Sequence, residues 1–122
     1  MNDATQDFER PGYETRPIPD FPHAPFDWSR EQAEEVAKTE GLTLTETRWE
    51  VVRALQGLCA HHAEPALNAR DLHDALDEHF HGEGGIKYLY ELFPEGPLAQ
   101  GCRLAGLKPP AGAQDKGMGS AV

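Results

Sequence analysis

Between Ser29 and Gly106 no apolar pattern runs far before a glycine or a proline interrupts it, and this punctuation confines the chain to short helices. Ser29 and Gln32 have the spacing of a capping box, Ala33, Val36 and Ala37 form one face behind them, and Gly41 is a stop. Thr43 or Thr45 caps a longer helix in which Trp49, Val52, Leu55 and Cys59 recur at spacings of three and four, with Val51 and Leu58 widening the stripe up to Pro65. Asn68 with Asp71 starts a third helix, Ala69 to Phe80, with Leu72, Leu76 and Phe80 on one side before Gly82, Gly84 and Gly85. A fourth covers Ile86 to Phe93, where Ile86, Leu89, Tyr90 and Phe93 are apolar, and Pro94 closes it. Gly96 and Pro97 open a fifth, in which Leu98, Cys102 and Ala105 share a face until Gly106.

The ends have a different character. Of ten prolines, five (Pro11, Pro17, Pro19, Pro22 and Pro25) precede Trp28, which sets off residues 1–27 as an arm with few backbone donors. Ile18, Phe21, Phe26 and Trp28 are apolar enough to anchor its second half, each burial being worth on the order of 1.5–3 kcal/mol. After Leu107 the run KPPAGAQDKGMGSAV has no apolar period, and residues 111–122 are expected to form a mobile tail. A length of 122 residues leaves room for one core, placed in 28–110.

Charge excludes several functions. With 21 Asp and Glu against 11 Lys and Arg, the mean field repels phosphate backbones and anionic lipid. The helix ARDLHDALDEHF, the best placed for a DNA groove, carries four carboxylates and one arginine, so direct nucleic-acid binding is not expected. No stretch approaches the roughly 18 apolar residues of a membrane span, and MNDATQDFERPG lacks the apolar centre of a signal peptide. The reading is a cytoplasmic protein with no membrane association, whose two cysteines, Cys59 and Cys102, are free thiols. Five of the six histidines lie between His61 and His81, without the spacing of a zinc motif, and are read as a solvated face. Neither a metal nor a cofactor is called for.

The blocks EGLTLTETRWEVVRAL, ARDLHDAL and YLYELFPEGPLAQGCRLAGLKPP, in this order and spacing, resemble the DsrC/TusE family of sulfur-relay proteins from about Trp28 to Pro110. The resemblance implies a mainly α fold: a small orthogonal helical bundle with a helix-turn-helix-like core, an optional short N-terminal β-hairpin and a mobile C-terminal arm. It also implies a function in sulfur metabolism or tRNA 2-thiolation, in which a cysteine near the end of the arm takes persulfide sulfur from one partner and gives it to another. Members that serve dissimilatory sulfite reductase have a second, inner cysteine at the start of the block that reads CRLAGL here. Cys102 stands at that inner position. Eleven positions on, where the resemblance puts the carrier cysteine, stands Ala113, and the chain continues to Val122.

Sulfur transfer needs a thiolate that can reach a partner, so the candidate reactive residue is Cys102, acting as a single thiol. Arg103 would lower its pKa and the carbonyl end of a short helix would raise it; the sequence leaves the sign open. Arg70 and Arg103 are the candidate partner-binding residues, against a sulfur-transfer or sulfite-reductase-type protein. Glu95, Ala99 and Asp74 occupy places where the resemblance implies basic residues, which alters partner choice. The alternative is a non-catalytic regulatory or interaction module on the same scaffold, with Cys102 structural. Cys59, on the Trp49 stripe, is read as a core residue.

Overall fold

A computed structural model describes residues 15–60 and 68–110. Among these residues the chain forms five α-helices: α1 (Arg30–Thr39), α2 (Glu46–Ala60), α3 (Ala69–His79), α4 (Gly85–Leu92) and α5 (Ala99–Ala105), with a 3-10 turn at His81–Glu83. The mainly helical class read from the sequence is thus observed. No helix among the described residues is long and apolar enough to cross a membrane.

Local chemistry sets most of the helix ends. The Ser29 hydroxyl accepts from the Gln32 N–H at 3.1 Å and Asn68 Oδ1 from the Asp71 N–H at 2.8 Å, each satisfying one of the amides a helix start leaves unpaired. Of the two candidate threonines, Thr45 caps α2, its hydroxyl lying 3.4 Å from the Arg48 nitrogen. Both α1 and α5 end in a left-handed glycine. Gly41 has φ 70° and Gly106 φ 78°, and the next residue reaches back to a carbonyl five positions earlier, Leu42 to Ala37 and Leu107 to Cys102, each at 2.8 Å. The helix α4 begins on a carboxylate supplied from α3, since Asp77 Oδ1 accepts from the Ile86 N–H at 2.8 Å. Its last turn is closed by Arg48, whose Nε donates to the Leu92 carbonyl at 2.8 Å. Pro65, read as the stop after α2, and the tail from residue 111 lie outside the described residues.

The proline-rich segment reaches the core. Pro19 and Asp20, the latter at φ 72°, turn the chain so that the Phe21 N–H donates to the Ile18 carbonyl at 2.9 Å. Two isolated antiparallel bridges, Thr15 with Pro25 and Ile18 with Phe21, are all the β-structure among the described residues. The turn drives Phe21 between Trp28 and Trp49, with ring centroids 5.0 and 5.5 Å away. Phe21, Ala24 and Trp28 are buried, Ile18 packs at the edge, and Phe26 stays 55% exposed. Arg30 covers Trp49 at 4.7 Å and Arg53 covers Phe21 at 5.1 Å, sealing the aromatic cluster with cations. The remaining core follows the helix faces expected from the sequence at Val51, Val52, Leu55, Leu72, Leu76, Leu89 and Phe93; Leu104, outside the expected face of the last helix, is also buried, and Tyr90, counted among the apolar residues of the fourth, is 43% exposed.

Candidate functional site

The last helix, α5, packs on α1 and α2, whereas α3 packs on α2 and α4. It is a seven-residue helix of mostly small side chains, AQGCRLA, and it approaches α2 closely. A Cβ at Gly101 would lie 2.7 Å from Leu55 Cδ1, so glycine is what permits this approach. The carbonyls that the end of α5 leaves unpaired are taken up by side chains from elsewhere. Trp28 Nε1 donates to the Leu104 carbonyl at 2.8 Å and Gln56 Nε2 to the Ala105 carbonyl at 3.0 Å.

Cys102 lies in the middle of this arrangement with 0% exposure. Burial pushes its thiol up to about 12, the charge on nearby Cys59 adds to the rise, and Arg103 opposes it without overcoming it. The sign that sequence reasoning left open is therefore upward. At pH 8 a thiol with a pKa of about 12 is ionised in about one molecule in ten thousand. In this packed arrangement Cys102 is chemically quiet. Cys59 is half-buried on α2 and is also raised by burial, and both cysteines are free thiols.

Polar bonds hold the outer face of α5 to the end of α1. The Glu40 carboxylate accepts from Arg103 Nε at 2.7 Å, from Arg103 Nη2 at 3.0 Å and from Gln100 Nε2 at 2.9 Å. Gln100, itself buried, also accepts the Glu95 N–H at 3.1 Å, which ties in the loop before α5. Arg103 is shared with the Glu95 carboxylate at 3.6 Å. The hydrogen bonds from Arg103 hold the Glu40 carboxyl below the usual range; burial opposes them, and the Gln100 bond and the Arg103 charge assist. Arg103, a candidate for partner binding, is thus engaged within the molecule. Arg70 stands exposed in the first turn of α3, with no ion pair to another described residue, and belongs to a different helix pairing.

Sequence reasoning did not find Glu40, Gln100, Gln56 or the indole N–H of Trp28 as parts of this site. The one signal available was Gln100, a long polar residue that shares with Arg103 a helix otherwise made of small and apolar side chains. Of the histidines, His79 and His81 are exposed and His73 sits 3.6 Å from Asp74; among the described residues no group of three or more metal-ligating side chains forms. His61, His62 and Ala113 lie outside the described residues.

Comparison with known proteins places the same stretch in a family. A family model described as "DsrC like protein" matches residues 20–113. A protein named "Sulfurtransferase TusE" from Yersinia pseudotuberculosis is 42% identical over 86 residues, covering 69% of this chain and 78% of the relative. Proteins of the same name from Sodalis glossinidius and Escherichia coli K12 are 38% and 39% identical, covering 69% and 68% of this chain and 78% and 76% of their own lengths. No solved structure matches the chain.

Proposed function

The chain belongs to the DsrC-like protein family, and we propose that its sulfur-relay role runs through Cys102, stored in the core at rest and presented when α5 lifts from α1 and α2. Two features support this reading. Cys102 begins the CRLAGL block at the inner cysteine position of the resemblance, and the helix that carries it is held on its outer face by one carboxylate, Glu40, through three hydrogen bonds. The second is the observation that carries the proposal: beside the buried Trp28 and Gln56 bonds to the end of α5, the Glu40–Arg103 contact is partly exposed, so it is the fastening that water or a partner's charges can reach.

Once α5 lifts, solvation returns the thiol toward its ordinary value near 8.5, within reach of neutral pH. The thiol proton passes to water and the Cys102 thiolate attacks the outer sulfur of a donor persulfide. The donor's sulfur–sulfur bond breaks, its cysteine leaves as a thiolate, and Cys102 holds the persulfide. An acceptor thiolate repeats the exchange and regenerates Cys102. Donor and acceptor are sulfur-transfer or sulfite-reductase-type proteins, and the setting is a reducing cytoplasm where both cysteines stay free. With Ala113 at the outer position, no thiol stands there to attack the Cys102 sulfur, close a disulfide with it and expel the bound sulfur as sulfide.

Intact mass after incubation with a low-molecular-weight persulfide donor tests the assignment. The expected result is a gain of one sulfur atom that disappears in Cys102→Ser. No gain, or a gain that survives this substitution, would leave Cys102 as a core residue.

A further inference from the structure

On the side of α2 away from α5, an open groove of about 610 Å³ runs between α2, the Pro22 turn and the end of α3. Its apolar surface comes from Pro22, Ala54, Leu58 and Phe80, and Gly57 leaves a gap between them. A Cβ at Gly57 would meet only the His23 ring at 3.4 Å, an ordinary contact, so this glycine is not required by close packing as Gly101 is. The groove is large enough for one or two side chains from another molecule.

The charge around it is unbalanced. Arg53, the cation on the groove, is matched already: it pairs with Glu46 at 3.2 Å and stacks on Phe21. Glu50 and Glu83 stand exposed on the groove and pair with no cation among the described residues. Burial, and after it the charges of Glu83 and then Glu50, raise the Tyr88 hydroxyl. An apolar trough flanked by two unpaired carboxylates, on a chain of net charge −10, selects against acidic partners and for basic ones.

We propose that this groove is a docking site for a partner protein segment that presents one large apolar side chain flanked by lysine or arginine. The apolar side chain fills the gap over Gly57, between Leu58 and Phe80, and the flanking cations meet Glu50 and Glu83. Because α5 packs on the Leu55 side of α2, where Gly101 approaches Leu55, a partner held in this groove leaves α5 uncovered. The docking site stands independently of the thiol chemistry, and its test uses no sulfur readout, so either can fail alone.

The test is nuclear magnetic resonance titration of the isotope-labelled full chain with the capped peptide Gly-Lys-Phe-Lys-Gly and with its counterpart Gly-Glu-Phe-Glu-Gly. The lysine peptide should move the amide signals of Ala54, Gly57, Leu58, Phe80 and Glu83 at millimolar concentration. The glutamate peptide, and the Glu50→Lys/Glu83→Lys protein with the lysine peptide, should bind at least about tenfold more weakly. Gly57→Leu keeps both charges and fills the gap, and should also abolish the shifts; the unchanged remainder of its spectrum reports that it folds. Equal shifts with both peptides, shifts confined to other surfaces, or no shifts would overturn the proposal. So would concentration-dependent self-association that broadens the groove signals and is lost in Phe26→Ala. That outcome would assign the groove to a second copy, whose exposed Phe26 carries Arg16 at 5.9 Å.

Discussion

Removing the Glu40 carboxylate should expose Cys102 without rebuilding the core around it. In Glu40→Ala, three hydrogen bonds to α5 are lost, two from the Arg103 guanidinium and one from Gln100. Fully buried, such a charge-assisted set would be worth several kcal/mol, but the Glu40 and Arg103 side chains keep 18% and 30% exposure. Water compensates part of the loss, and Arg103 retains Glu95 at 3.6 Å, so a cost of about 2 kcal/mol is reasonable. If that cost falls on the packed state of α5, the open population rises by about 30-fold. The assay is the rate at which a bulky aromatic disulfide reagent labels Cys102, in a Cys59→Ala background without denaturant. The unmutated site should react orders of magnitude more slowly than the unfolded chain, and Glu40→Ala should raise the rate by about 30-fold with little dependence on low urea. Glu35→Ala, which removes an exposed carboxylate of α1, should leave it unchanged. A labelling rate in Glu40→Ala within twofold of the unmutated site would refute the idea that this carboxylate holds the thiol closed. So would an unmutated site that labels as fast as the unfolded chain.

Gly106→Ala should destabilise the fold by about 2–4 kcal/mol, measured by urea unfolding, because it places a side chain at φ 78° and its Cβ within 2.6 Å of Trp28 Cδ1; a loss under about 0.5 kcal/mol would contradict the packing of Trp28 against the end of α5. Cys102 should make stability fall at alkaline pH. Its folded pKa lies above the unfolded one, so its stabilising contribution is intact below about pH 8.5 and is lost progressively toward pH 12, at no more than about 1.4 kcal/mol per pH unit. Urea unfolding of the unmutated protein and Cys102→Ala between pH 8 and 10 checks this, with the steeper decline expected for the unmutated chain and identical slopes counting against it. Glu40 has the opposite sign: its folded pKa is depressed, so its contribution is intact above the ordinary carboxylate value near 4.3 and is lost as pH falls through the lower folded value. The difference in stability between the unmutated protein and Glu40→Ala should therefore shrink in acid.

What the sequence disclosed about this fold is what depends on near neighbours along the chain. Ser29 and Asn68 cap because the amides they accept from lie three residues on, and Gly41 and Gly106 stop their helices because a left-handed residue is needed there. The faces of α2 and α3 were readable from their period. The position of Phe21 was not, since Pro19 and Asp20 signal a turn but do not say against what the turn packs. The same holds for the site. The block it begins singled out Cys102 as the candidate thiol, but nothing in that block showed that its helix packs on α2 and is held by Gln56, Trp28 and Glu40. These hydrogen-bond partners lie 49, 76 and 63 residues away from those they hold, Gln56 from Ala105, Trp28 from Leu104 and Glu40 from Arg103. No local pattern reports such pairings. Arg103 shows the consequence: as a cation beside the cysteine it suggested a partner contact, and its charge is engaged by a carboxylate from the far end of α1.

Sulfur relay through Cys102 requires that sulfur reach this thiol in the folded chain. The most direct measurement loads the Cys59→Ala protein with a persulfide donor under native conditions and counts the transferable sulfur released as thiocyanate by cyanide. One sulfur per chain, loaded faster when Glu40→Ala is added, is the expected result. A folded protein that takes up none, while the same chain unfolded in urea takes up one, would contradict it and leave Cys102 as part of the core.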